Sequence, residues 1–124
     1  MKRFTLAILL ITAAIASAQE LTVMELLQSP RQFEGRRVSV SGYYYSSWEA
    51  HILYADLESA KGQDWSRSIW IEADPNVESP LRRGHVIGVF FYSRNYRPKQ
   101  VLSGFGAFGG WSSQLINCTV HLRK

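Results

Sequence analysis

Beyond residue 36 the chain alternates between apolar and polar positions. In residues 36–46, Val38, Val40, Gly42 and Tyr44 share one parity, and Arg37, Ser39, Ser41, Tyr43 and Tyr45 take the other. A period of two marks a strand with one face turned to a core. The pattern recurs in residues 50–57, where Leu53, Ala55 and Leu57 oppose Ile52, Tyr54 and Asp56. It recurs in residues 67–73, with Ile69 and Ile71 against Trp70 and Glu72. Residues 85–93 are almost continuously apolar, as expected of a strand covered on both sides. Residues 114–122 close the series, with Ile116, Cys118, Val120 and Leu122 predicted inward and Asn117, Thr119 and His121 outward.

Ahead of the strands, "LTVMELLQSP" carries helix signals. Thr22 and Glu25 fit the T-x-x-E capping box, with Leu21 and Leu26 at the positions of a hydrophobic staple. Val23, Leu26 and Leu27 form one apolar face, and Pro30 sits where the helix should stop. One short N-terminal helix and five strands predict a mainly β fold, a small five-stranded OB-like Greek-key barrel. The intervening stretches Glu58–Ser66, Asp74–Gly84 and Ser93–Ser113 are turn-rich, and the last is long for a connection in a compact domain.

Residues 1–18 read as a signal peptide. Lys2 and Arg3 precede an apolar run from Phe4 to Ile15, and Ala16-Ser17-Ala18 supplies small residues for cleavage. The run is shorter than the roughly 20 apolar residues of a spanning helix. A periplasmic or secreted domain of residues 19–124 is therefore expected, with no membrane span after cleavage and, lacking a cysteine at the cleavage site, no lipid anchor. Without Lys2 and Arg3, 12 basic residues face 10 acidic ones, a net charge of +2. The charges are dispersed apart from Arg36-Arg37 and Arg82-Arg83, so electrostatics alone does not argue for a nucleic-acid partner, and none is expected. Cys118 is the only cysteine, which excludes an internal disulfide; a buried small hydrophobe is the expected role, with pairing to another chain or a reactive thiol as the alternative.

Gly104, Gly106 and Gly109 match G-x-G-x-x-G, the dinucleotide-binding spacing. That motif works between a strand and a helix, with an acidic residue about 20 positions on to hold the ribose. Here strand-like residues follow, and the 15 residues after Gly109 include no Asp or Glu. No nucleotide, and no other cofactor, is expected. The interleaved Phe105, Phe108 and Trp111 suit either a cover over one end of the barrel or an apolar lip around a ligand.

Catalytic chemistry is not legible. His51, His85 and His121 lack metal-ligand spacing, and Cys118 and His121 fall on opposite faces of one strand. Glu49, Asp56, Glu58 and Glu72 read as solvated surface charge, and the Asn117–Thr119 sequon lies in a predicted strand. The chain reads as non-enzymatic. The outward aromatics are the candidate ligand-binding residues: Tyr43, Tyr45, Tyr54 and Trp70 on one sheet face, with Trp48 and Trp111 from the flanking loops. OB barrels bind oligonucleotides and oligosaccharides through stacked rings on such a face. Packing against the helix or a partner subunit is the alternative.

The segment "VMELLQSPRQFEGRRVSVSGYYYSSWEAHILY" resembles a family of small exported bacterial proteins with an OB-like barrel, largely without assigned function. The shared features are Val23, Leu26, Leu27 and Pro30 in the helix, then Phe33 and Gly35 before Val38, Val40 and Gly42. Glu49 ahead of Leu53-Tyr54, and Ile69-Trp70, complete them. The resemblance spans roughly Leu21–Ile71 and is weakest over Arg94–Gly110. It implies an exported OB-like domain and brings no catalytic residues. The expected task is binding a small ligand or a partner protein, with an oligosaccharide or single-stranded nucleic acid on the aromatic face as the alternative.

Overall fold

The computed structural model describes residues 19–72, 78–98, 100 and 102–123; the predicted signal peptide lies outside the described residues. Strand β1 (Gln19–Thr22) leads into helix α1 (Val23–Gln28), and α2 (Pro30–Phe33) follows one residue later. Then come β2 (Arg37–Ser46), β3 (His51–Tyr54), α3 (Leu57–Lys61), β4 (Ser68–Ile71), β5 (Ser79–Tyr92) and β6 (Ser113–Leu122). Two single 3-10 turns, Trp65–Arg67 and Ala107–Gly109, interrupt the loops.

The capping box forms as its spacing requires. Glu25 N–H donates to the Thr22 hydroxyl at 3.2 Å, and Thr22 N–H donates to the Glu25 carboxylate at 3.1 Å. Leu21 and Leu26 are both buried, as a staple demands. Pro30 does end α1, but it also opens α2 from the first-turn position, where its missing N–H costs nothing.

Strands β2 to β6 close into a barrel in the order β2-β3-β4-β6-β5, with β5 returning to β2. This is OB connectivity, including the parallel pairing of β4 with β6 at Ile71↔Leu115. β2 is the long spine: one edge pairs with β5 from Arg37↔Val89 to Ser46↔Ser79, and the other serves two partners. Its second half takes β3 antiparallel, and its first half takes β1 in parallel, with Leu21 opposite Val40. β1 was not expected from the sequence. Four residues are too few for a period to declare itself.

Val38, Val40, Tyr44, Leu53, Ile69, Ile71, Val86, Phe90 and Leu115 fill the interior, joined at one end by Leu21, Val23, Leu26 and Phe33. The parities expected for β2, β3 and β4 hold. Leu57 departs from them: Asp56 caps α3 through Ser59 N–H at 2.7 Å, ending the strand signal and leaving Leu57 on an exposed first turn.

In β6 the residues Asn117 and Cys118 together face Gly88 in a bulge, with Asn117 left-handed at φ 53°. The bulge resets the parity. Leu115 enters the core, Cys118, Val120 and Leu122 follow it beyond the bulge, and Ile116 is turned outward, against the sequence expectation. β5 also begins earlier than its apolar run suggests, with Pro80-Leu81 bulged opposite Tyr45, where a proline leaves no ladder bond unmade. Its outer residues Ile87, Val89 and Phe91 are half-buried, so the strand is not covered on both sides. Among the described residues no helix is long and apolar enough to cross a membrane.

Candidate functional site

A second, smaller apolar layer lies outside the barrel on β3 and β4. Its buried members are Ile52, Tyr54, Trp70 and Trp111, and Tyr43, Phe105 and Leu81 pack on them partly buried. Tyr43, Tyr54 and Trp70 thus do share a face, with Tyr45 beside Tyr54 at its exposed edge, but loops cover most of it. Tyr54, Trp70 and Trp111 are 4%, 8% and 1% exposed, so their rings form a packed wall and not an open platform. Burial, and secondarily the Tyr45 phenol, raises the pKa of Tyr54. Tyr45 and Trp48 remain exposed; Trp48 stands in the β2–β3 loop, away from that layer's packed members.

Two segments provide the cover. The first is the α3–3-10 connection, clamped by Arg67, which pairs with Asp56 at 2.9 Å and donates to the Ser59 hydroxyl at 3.0 Å. Asp64 caps the 3-10 turn through Ser66 N–H at 3.1 Å, and the turn sets Trp65 over Trp111. The second is the β5–β6 loop, residues 93–112. It is tied internally, with Phe105 and Trp111 exchanging backbone bonds at 2.7 and 3.1 Å. The Ser103 hydroxyl accepts from Arg97 N–H at 2.9 Å and reaches back to the Arg97 carbonyl.

Three tryptophans meet where these segments touch. Trp65 stacks on Trp111 with centroids 4.3 Å apart and planes 25° from parallel, and Trp70 tilts against Trp111 at 4.8 Å. Each buried indole N–H finds an acceptor: Trp111 donates to the Ser68 hydroxyl at 2.9 Å and Trp70 to the Glu72 carboxylate at 2.8 Å. The glycines of the G-x-G-x-x-G string are required by close packing: a Cβ on Gly104 would meet the Trp111 carbonyl and one on Gly109 the Leu102 backbone. A Cβ on Gly106 would collide with the Trp70 indole, and one on the neighbouring Gly110 would lie 2.8 Å from the Trp65 ring. The string itself ends in the three-residue 3-10 turn Ala107–Gly109 and leads on to β6, not into a helix.

Outside Trp65 the same loop leaves a concavity of about 380 Å³, lined by Trp65, Tyr96, Pro98, Phe108, Gly109 and Gly110 with Arg97 and Gln100 as its polar members. Trp65 is 42% exposed and Phe108 76%. Of the residues expected to bind a ligand, Trp111 forms the floor beneath Trp65, and none of Tyr43, Tyr45, Trp48, Tyr54 or Trp70 lines the cleft. Trp65 and Tyr96 escape strand-parity reasoning because both sit in aperiodic turns. A tryptophan inside the polar run "GQDWSRS" was the only available signal.

Comparison with protein-family models, curated proteins and solved structures finds no match to this chain. Among the described residues no three His, Cys, Asp or Glu side chains converge on a point that could hold a metal ion. Ser46 and His51 are hydrogen-bonded to each other, Oγ to Nδ1, but both are buried, at 3% and 7% exposure.

Proposed function

We propose that this is an exported, non-enzymatic OB-like binding domain whose ligand site is the aromatic cleft between the β5–β6 loop and the Trp65 turn. The leader-like residues 1–18, and the resemblance of Leu21–Ile71 to small exported bacterial proteins, support export. The observation that carries the binding reading is Trp65: one ring face rests on a buried tryptophan and the other side of the cleft is open. A large aromatic is left half-exposed at a concavity within the ~300–1,000 Å³ range of ligand pockets. The position agrees with the fold. Counting barrel strands from β2, the cleft is built by the loop between strands four and five, one of the two loops that OB barrels use for ligands.

The lining selects a ligand with an apolar face and a hydroxyl-rich or anionic edge. A sugar ring of an oligosaccharide offers both, its C–H face for Trp65 and its hydroxyls for Arg97 and Gln100. Single-stranded nucleic acid fits less well, since Arg97 is the one cation among the described residues that line the cleft. Calorimetric titration with neutral and acidic oligosaccharides, and with a short single-stranded DNA, tests the proposal. An oligosaccharide should bind, and Trp65→Ala should lower its affinity by about 1–3 kcal/mol, roughly 5- to 150-fold. Binding that survives Trp65→Ala unchanged overturns it. A protein partner is the second reading, favoured by Leu102 at 79% and Phe108 at 76% exposure, joined by a 2.8 Å backbone bond at the rim.

A further inference from the structure

The far end of the β5–β6 ladder brings two histidines together. His85 and His121 are direct cross-strand partners, and both are exposed. Their rings lie face to face with centroids 4.8 Å apart and planes 19° from parallel. His121 is ten residues beyond Trp111, roughly 30 Å of extended chain, so this pair is separate from the aromatic cleft.

We infer that His85 and His121 form a two-imidazole site for a late first-row divalent metal ion, copper(II) above nickel(II) or zinc(II). The spacing suits chelation. With metal–nitrogen bonds of about 2.0–2.1 Å and a ring centre about 1.1 Å beyond each nitrogen, two cis imidazoles at 90–109° have centroids about 4.4–5.2 Å apart. The observed 4.8 Å falls inside that window, so the strands need not move. Only the ring tilt must open, by rotation about Cβ–Cγ, a soft torsion that two exposed side chains can follow. The charges around the pair are mixed: Arg83 and Arg123, the next outward pair along the same two strands and joined by a 2.8 Å backbone bond, lie on one side, and carboxylates lie on the other. His85 shares a shallow polar pocket of about 320 Å³ with Glu20 and Glu25. Glu25 is engaged by Thr22 N–H, while the Glu20 carboxylate has no hydrogen-bond or ion-pair partner among the described residues. Along the row toward His85 lie only the small side chains of Thr22 and Ser41, paired in register, which leave the approach open. With no third side chain converging, water completes the shell. That arrangement suits the tetragonal preference and high nitrogen affinity of copper(II).

The test is titration of the purified protein with copper(II), nickel(II) and zinc(II) chlorides by calorimetry, with electron paramagnetic resonance of the copper complex. One copper ion per chain should bind, tighter than nickel or zinc, with hyperfine splitting from two equivalent nitrogens. His85→Ala and His121→Ala should each weaken binding at least about tenfold, and His85→Gln should do the same while preserving bulk. Circular dichroism of the variants should be unchanged. Three results overturn the inference: no saturable binding, binding that persists in the His85→Ala/His121→Ala double variant, or loss in one single variant but not the other.

Discussion

Four glycine-to-alanine substitutions separate the two reasons a residue can be barred from growing a side chain. Gly62, at φ −85° and ψ −2° with its nearest prospective neighbour at 3.5 Å, meets neither obstacle. Alanine there should be neutral or stabilising by about 0.4–1 kcal/mol, since it restricts the unfolded chain. Gly35 is left-handed at φ +75° with nothing within 4 Å, so alanine costs backbone strain alone, about 1–2 kcal/mol. Gly110 has an ordinary backbone, φ −79° and ψ −6°, but its Cβ would press on the Trp65 ring. Overpacking costs about 1–3 kcal/mol, and a half-exposed ring that can swing outward places this site at the low end. Gly106 meets both obstacles. Its φ of 74° and ψ of −161° belong to a region that essentially only glycine occupies, and its Cβ would enter the Trp70 indole. Strain of about 1–3 kcal/mol and overpacking of similar size sum to about 2–6 kcal/mol. Urea unfolding followed by far-ultraviolet circular dichroism reads the series. With a slope near 2 kcal/mol per molar, Gly106→Ala should lower the midpoint by about 1–3 M. If Gly106→Ala falls within about 0.5 kcal/mol of Gly62→Ala, the glycine loop does not lie on Trp70, and the cleft built from that loop is wrong.

Three further outcomes follow from side-chain chemistry. Thr22→Ala removes one half of the capping box and should destabilise the protein by about 1 kcal/mol, read by the same urea assay. The Ser59 hydroxyl and N–H, then Arg67, hold the Asp56 carboxyl down to about 2 from 3.8. Because this folded-state value is depressed, the associated stability is present above about pH 4 and is lost as pH falls toward 2. Asp56→Asn should flatten the stability profile over that window, and a carboxyl titration by NMR should place the midpoint near its lower end. Burial, then the Glu72 carboxylate, pushes the Cys118 thiol up to about 12 against the opposing Arg37. At pH 8, iodoacetamide should therefore alkylate native Cys118 about a thousandfold more slowly than the urea-unfolded chain.

The barrel was legible because alternation survives wherever a strand has one wet face. Val38, Val40 and Tyr44 in β2, and Ile69 and Ile71 in β4, sit where their parity put them. Reading failed where local geometry broke the period. The left-handed Asn117 inserts one residue into β6 and exchanges Ile116 for Leu115, a change that no count of apolar positions reveals. The site was less legible than the fold. Strand parity gathered Tyr43, Tyr45, Tyr54 and Trp70 on one face, but it could not say that loops would bury Tyr54 and Trp70 and leave Tyr45 at the edge. The coverage depends on contacts between Trp65 and Trp111, 46 positions apart in turns that obey no repeat.

Three of the four tryptophans touch one another, while Trp48 stands alone at 74% exposure. Indoles packed at 4.3 and 4.8 Å couple their transitions, so this protein should display an exciton couplet arising from the loop–barrel seam alone. Trp48 supplies an independent, red-emitting signal from the opposite class of environment. Undocking of the β5–β6 loop would extinguish the couplet while amide dichroism stays intact. A loop-open state and a denatured chain are thereby optically distinct in the unlabelled molecule.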